Sequence, residues 1–269
     1  MNLLLPTMKL IFRLFSFLQY LWNSKGPHRV HSPFVYNLYM NQILDDRNYY
    51  IYEEIEAIRK QLLKSDDAIN WTEFGAGKSI RSNNYKRRIS HLAKSSLAPP
   101  KYARLLHRLS IHFSPKITLE LGTCLGITSL YLAKSNSLAE VYTIEANKEC
   151  AEIAKSSFNK LAATNIQLIQ GQFSEMLPDF LKGDIILDFI FIDGDHTYES
   201  TVNNVNQLIP HLTNNSVLIL DDIYWSSEMN KAWQYVKQLP QVTVTIDIYR
   251  MGIVFFHQGQ SKEHFTLRF

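Results

Sequence analysis

Cysteine is scarce in this chain of 269 residues: only Cys124 and Cys150 occur. Two thiols are too few for a disulfide framework, and their spacing does not suit a zinc pair, so a reducing, cytoplasmic setting is expected. Long apolar runs are also lacking. The apolar stretch from Met8 to Trp22 is interrupted by Lys9, Arg13 and Ser16 at helical spacing, which predicts an amphipathic helix too short and too charged to span a bilayer. No small-residue cleavage site follows it, so a secretory signal is not expected. Packing of this helix on its own domain is the favoured expectation, and attachment to a membrane surface is the alternative. No repeat and no low-complexity segment is present.

Acidic residues are missing over one long stretch. None lies between Glu73 and Glu120, where Lys78, Arg81, Lys86, Arg87, Arg88, Lys94, Lys101, Arg104, Arg108 and Lys116 are all basic. Residues 1–116 hold 18 Lys and Arg against 8 Asp and Glu, and residues 117–269 hold 10 against 17. The overall charge of +3 therefore hides two opposite halves. Such a block suits an anionic small molecule, nucleic acid or an anionic membrane, or else a solvated face set against the acidic half.

What is present is a change of texture near Pro115. Before it, short helical patterns are broken at Gly26-Pro27 and Pro99-Pro100. After it, apolar runs at 117–121, 140–145, 166–170, 185–193, 216–222, 242–248 and 252–257 alternate with helical stretches. Strand–helix alternation predicts a mostly parallel sheet wrapped by helices. The last two runs are separated only by Tyr249-Arg250-Met251, which predicts an antiparallel hairpin. Two regions are expected: 1–114, a mainly helical cap, and 115–269, an α/β domain.

The first strand of the alternating half runs into Glu120-Leu121-Gly122-Thr123-Cys124-Leu125-Gly126. Gly122 permits a tight turn close to a ligand, and Gly126 permits close packing at the start of the following helix. The middle position of a Gly-x-Gly-x-x-Gly loop is Cys124, which argues against a dinucleotide pyrophosphate. The second strand ends at Glu145, placed to accept hydrogen bonds from ribose hydroxyls. A second loop, Glu73-Phe74-Gly75-Ala76-Gly77, has a similar look. It lacks a following buried helix and a strand-end acid about 20 residues on, and reads as a loop of the N-terminal region.

This order of motifs resembles the class I S-adenosylmethionine (SAM)-dependent methyltransferases. The resemblance implies an α/β fold: a Rossmann-like seven-stranded sheet with an antiparallel last strand. It also implies SAM bound by Glu120, Gly122, Thr123, Gly126, Glu145, Gly171, Gln172, Phe173 and Asp193. Strands four and five end in Asp193-Gly194-Asp195-His196 and Asp221-Asp222. These ends resemble the cation-dependent O-methyltransferases of the catechol and caffeoyl-CoA type, in which carboxylates at these places hold a divalent cation. Asp193, Asp221 and Asp222 are the implied ligands, for Mg2+ or another hard cation. Asp193 and His196 are the expected catalytic residues, with His196 standing where that family has a lysine base. Two departures stand out: Asp222 replaces an asparagine and His196 replaces the lysine. Gly26 to Tyr36 is similar to the N-terminal part of a group of bacterial class I methyltransferases without assigned substrates; His28, Arg29 and His31 there are candidates for contact with an anionic substrate.

O-methylation of a small molecule is the expected activity. RNA methylation through the basic N-terminal region is the alternative. A nicotinamide-dependent oxidoreductase would need a glycine at 124 and a Tyr-x-x-x-Lys pair, and an inactive nucleoside-binding module would not need Glu120, Gly122, Glu145 and Asp193 together. Base N-methylation would call for an Asn/Asp-Pro-Pro-Tyr/Phe motif where Asp193-Gly194-Asp195-His196 stands.

Overall fold

The apolar runs become strands and the periodic stretches become helices in the computed structural model, which describes residues 4–71, 85–259 and 261–269. The Glu73–Gly77 loop, Lys78 and Arg81 lie outside the described residues. In chain order the elements are α1 (Leu4–Asn23), α2 (Pro33–Leu38), α3 (Tyr50–Lys64), β1 (Ala68–Trp71), β2 (Tyr85–Arg88), α4 (Ile89–Ser96), α5 (Pro100–Phe113), β3 (Ile117–Leu121), α6 (Ile127–Ala133), β4 (Glu140–Glu145) and α7 (Lys148–Lys160). They continue with β5 (Ile166–Gln170), α8 (Phe173–Phe180), β6 (Leu187–Ile192), α9 (Tyr198–Leu208), β7 (Leu212–Leu220), α10 (Ser227–Gln238), β8 (Val244–Asp247), β9 (Gly252–Phe255) and β10 (Glu263–Thr266). Eight of the strands form one mostly parallel sheet, and β1 with β2 forms a small antiparallel pair.

The chain divides into two compact units. One comprises residues 46–187, the other residues 1–45 with 188–269. In the first of these, β4 lies between β3 and β5 and is parallel to both, with Glu120 opposite Thr143 and Glu145 opposite Gln170. Helices α3, α4, α6 and α7 share a core around Ile55, Leu92, Leu130, Tyr131 and Phe158. Asn147 caps α7, its side chain accepting the Cys150 N–H, an arrangement worth about 1 kcal/mol.

In the other unit, β9 sits between β7 and β8 and is antiparallel to each. The expected hairpin is there: Ile248 N–H donates to the Met251 carbonyl at 3.0 Å. Gly252 lets Trp233 of α10 lie flat on this hairpin, since a Cβ there would be 2.7 Å from Trp233 Cζ3. An eighth strand, β10, adds to the seven expected and pairs parallel with β8 at the sheet edge. Its sequence, Glu-His-Phe-Thr, has no apolar run to announce it; only its partner defines it as a strand.

The N-terminal segment of this unit is a clasp. Ser32 caps α2 behind Pro33, Phe34 packs edge-on against Phe255 at 5.0 Å, and Lys25 N–H donates to the Thr266 carbonyl at 2.8 Å. Helix α1 docks through Tyr20, whose hydroxyl donates to the Leu267 carbonyl at 2.7 Å, and through Arg13, whose Nε donates to the Trp225 carbonyl at 2.9 Å.

Candidate functional site

Each compact unit carries a cluster at its strand ends. In the unit of residues 46–187 the cluster is the loop from β3 into α6. Gly122 has φ +108° and Gly126 φ +80°, both in the region that favours glycine. A Cβ on Gly126 would fall 2.6 Å from Phe158 Cε1 and 2.9 Å from Ala154 Cβ, so the close neighbour it accommodates is α7. The loop is tied down by its own backbone: the N–H groups of Gly122 and Thr123 donate to the Ile144 carbonyl at 3.1 and 3.3 Å.

Glu120 is wholly buried beneath this loop. Its Oε2 accepts the Thr143 hydroxyl at 2.6 Å and a short bond from Ser129, while Oε1 has no partner at hydrogen-bond geometry among the described residues. Burial raises its pKa, and the hydroxyls of Ser129, Thr128 and Thr143 act in the opposite sense. Thr123 joins the same network through a 2.6 Å contact with the Thr143 hydroxyl.

Glu145 stands at the end of β4 with a different set of partners. Its Oε2 accepts the Cys124 N–H and its Oε1 the Asn147 N–H, each at 2.7 Å. These bonds fix the carboxylate at the mouth of the loop and leave a lone pair on each oxygen for further donors. Burial again raises the pKa, against the backbone N–H bonds that favour the charged form. Gly171, Gln172 and Phe173 follow β5, and the Gly171 N–H donates to the Glu145 carbonyl at 3.0 Å. All three are half-buried.

In the other unit the cluster is charged. Asp193 follows β6, and Asp221 and Asp222 follow β7. The Asp221 N–H donates to the Ile192 carbonyl at 2.9 Å, which carries the ladder to the strand ends. Asp221 is fully buried and takes a bidentate grip from Arg250: Nε lies 3.0 Å from both carboxylate oxygens and Nη2 2.6 Å from Oδ2. Burial, and then the charge of Asp222, push its carboxyl up to about 6 against the pull of Arg250. Burial works against the Arg250 charge too, but Asp221 and Asp222 outweigh it and hold its pKa above the ordinary value.

Asp222 points elsewhere, its backbone turned to φ +53°. Its Oδ2 lies 3.9 Å from His196 Nε2 and its Oδ1 3.4 Å from Arg250 Nη2. Asp193 Oδ1 lies 3.7 Å from the same His196 nitrogen. Burial lowers the His196 pKa, with Asp222 pulling the other way, so the ring is mainly neutral at pH 7 and able to take a proton. Asp195, at φ +59°, accepts the Ser200 hydroxyl at 2.9 Å and supports the turn into α9. Of the six non-glycine residues at positive φ among those described, Cys124, Asp195, Asp222 and Tyr249 lie in these strand-end loops. Strain of this kind is retained where the surroundings fix it.

The expected residues thus fall into two groups. Glu120, Gly122, Thr123, Gly126, Glu145 and 171–173 form one; Asp193, His196 and Asp222 form another, with ligating atoms all within 4.8 Å of one another. Asp221 belongs to Arg250. That arginine was not singled out in the sequence, since in a three-residue connection between strands it reads as turn polarity. His28, Arg29 and His31 are exposed on the N-terminal clasp.

Residues 119–223 match the family model described as a methyltransferase domain. A protein-L-isoaspartate O-methyltransferase from Koribacter versatilis (strain Ellin345) is 35% identical over 96 residues, 36% of this chain and 42% of that protein. The chain thus spans less than half the length of the curated relatives it matches. Among solved structures, an O-methyltransferase from Bacillus cereus in complex with SAH superposes with a TM-score of 0.56 at 16% identity, over 82% of this chain and 97% of that one. The O-methyltransferase TomG from Streptomyces achromogenes, in complex with SAM, does so with a TM-score of 0.56 at 14% identity, over 82% and 95%. The fold is that of the class I methyltransferases, as the motif order implied.

Proposed function

We propose that the chain is a SAM-dependent methyltransferase acting on the oxygen of a small-molecule acceptor. The observation that carries this reading is Glu145, fixed by the N–H groups of Cys124 and Asn147 with lone pairs left to accept ribose hydroxyls. The chemistry of the loop fits the same cofactor. Glu145 stands at its mouth and no basic side chain lies from 120 to 126, which suits a ligand with a sulfonium and an ammonium and opposes a pyrophosphate. Gly122, Thr123 and Gly126 shape the loop, and Gly171 to Phe173 flank the nucleoside.

On this reading the cofactor supplies an electrophilic methyl group. His196 Nε2 would take the proton of the acceptor hydroxyl when SAM gives up its methyl group and leaves as S-adenosylhomocysteine, and Asp193 and Asp222 would steady the imidazolium that results. The relatives and structures named above are all O-methyltransferases by name, which supports an oxygen acceptor. Residues 1–114 are assigned to the substrate side, with His28, Arg29 and His31 exposed there toward an anionic group. Arg87 and Arg104 lie over the Trp71 and Tyr52 rings of their own unit, which favours a small acceptor over RNA. A cytoplasmic setting fits a chain with only two cysteines.

A second reading rests on the compact grouping of Asp193, His196 and Asp222. Two carboxylates and an imidazole fit a divalent cation, with nitrogen favouring a transition metal over Mg2+. Asp221 does not fit, because Arg250 already occupies its oxygens. The two readings use His196 differently, as base or as ligand, so one experiment separates them. Formation of SAH is followed with a panel of catechols and other small hydroxyl acceptors, with and without chelator. Turnover that survives the chelator and falls with His196→Ala supports the base. Turnover abolished by chelator and restored by Mn2+ supports the cation. Failure of every hydroxyl acceptor while a nucleic acid or an amine is methylated would overturn the small-molecule oxygen assignment.

A further inference from the structure

Half of the large apolar side chains that stand exposed among the described residues lie on α1. Helical spacing sorts this helix into two faces. Arg13, Ser16 and Tyr20 turn inward. Arg13 stacks its guanidinium 3.4 Å from the centre of the Trp225 ring, Ser16 is buried, and Tyr20 packs on Tyr249 and reaches the C-terminal strand region. The opposite face carries Ile11, Leu14, Phe15, Leu18 and Trp22, all exposed, with Phe15 at 67% and Trp22 at 90%. Self-packing therefore uses one side of the helix and leaves a continuous apolar stripe on the other. A patch of this kind on a folded chain marks a binding surface.

The charge around the stripe says what it meets. Residues 1–44 contain Lys9, Arg13, Lys25 and Arg29 and no Asp or Glu. Two copies docking through α1 would bring two acid-free, cationic stretches together, which is electrostatically unfavourable. An anionic lipid surface complements both the charge and the apolar stripe, and an exposed Trp at the polar edge of such a helix suits the headgroup level. No helix among the described residues is long and apolar enough to cross a membrane, so the fit is to a helix lying in the interface.

We infer that α1 is an interfacial helix that seats the protein on an anionic membrane surface. The inference stands apart from methyl transfer, since it uses none of the strand-end residues. It has one consequence for them. Because Arg13 grips Trp225, three residues after Asp222, the loop that carries Asp222 is held by the same helix that meets the lipid.

The test is flotation of the full chain with vesicles of phosphatidylcholine alone and of an equal mixture with phosphatidylglycerol. Binding is expected to the mixed vesicles, more weakly to phosphatidylcholine, and to decline as salt is raised. The double variant Leu14→Glu/Leu18→Glu changes only exposed positions, so its thermal transition should match that of the parent while partitioning falls at least about tenfold. A second variant, Trp22→Ser, should also weaken partitioning and remove a blue shift of emission on adding mixed vesicles. Absence of binding to both vesicle types would overturn the inference, as would undiminished binding by both variants. A dimer in solution that the double variant dissolves would assign the stripe to a second copy instead.

Discussion

Glu120 and Asp221 are both carboxylates buried to the last atom at the ends of parallel strands, one in each compact unit, yet they are satisfied in different ways. Glu120 rests on the hydroxyls of Thr143 and Ser129. Asp221 rests on the two-pronged guanidinium of Arg250. Neutral donors leave an acid free to be protonated when burial demands it, and they make the surrounding loop tolerant of a neutral substitute. A bidentate cation does the opposite: it makes the pair costly to break from one side only. The unit of residues 46–187 thus builds its strand ends from glycines, hydroxyls and backbone N–H groups, as a rigid seat. The other unit builds its strand ends from charge, and sets a neutral histidine among it.

The largest way to break this contrast is Arg250→Met. It leaves Asp221 buried without its cation partner, and the expected loss is about 3–5 kcal/mol in denaturant unfolding. Adding Asp221→Asn should recover most of it; a double variant no better than the single would show that Arg250 serves something other than Asp221. Next comes Gly126→Ala, which places a Cβ against Phe158 in a backbone region that alanine resists. It should cost about 2–4 kcal/mol and loosen cofactor binding with it. A variant with parental stability and affinity would remove the argument from loop geometry. Glu120→Gln should cost about 1–3 kcal/mol, since the hydroxyls can still donate to the amide oxygen while the amide NH2 takes the buried position of Oε1. A loss as large as that of Arg250→Met would mean that Glu120 is held as a charge.

The smallest effect sharpens the description of the unit of residues 46–187. His107 is buried, with its pKa lowered by burial, and its Nδ1 lies 2.8 Å from the Tyr131 carbonyl. A depressed histidine pKa means that the unfolded chain takes up the proton first. Its contribution to stability is therefore complete above the ordinary imidazole value and is lost as pH falls from there toward the folded value. His107→Gln should flatten that part of the pH–stability curve. An identical slope in both proteins would place the linkage on another group.

Much of the fold was legible in the sequence because short apolar runs alternate with periodic helices, a signal that needs no tertiary context. β10 was not, since an edge strand of mixed polarity is created by its neighbour. At the site, Gly122, Gly126 and Glu145 could be found from spacing along one strand–loop–helix unit. Arg250 could not, because its meaning depends on Asp221, which is 29 residues away in the chain. The adjacent pair Asp221 and Asp222 looked equivalent as text. Only the backbone turn at Asp222 sends one side chain into the core and the other toward His196.

The central claim, that the loop from Glu120 to Gly126 with Glu145 holds SAM, is tested most directly by titration calorimetry. The parent protein should bind SAM and S-adenosylhomocysteine and not NAD, and Glu145→Ala should weaken both by at least about tenfold, the worth of one or two charge-assisted hydrogen bonds. Binding of NAD with neither SAM compound, or undiminished SAM affinity in Glu145→Ala, would contradict it.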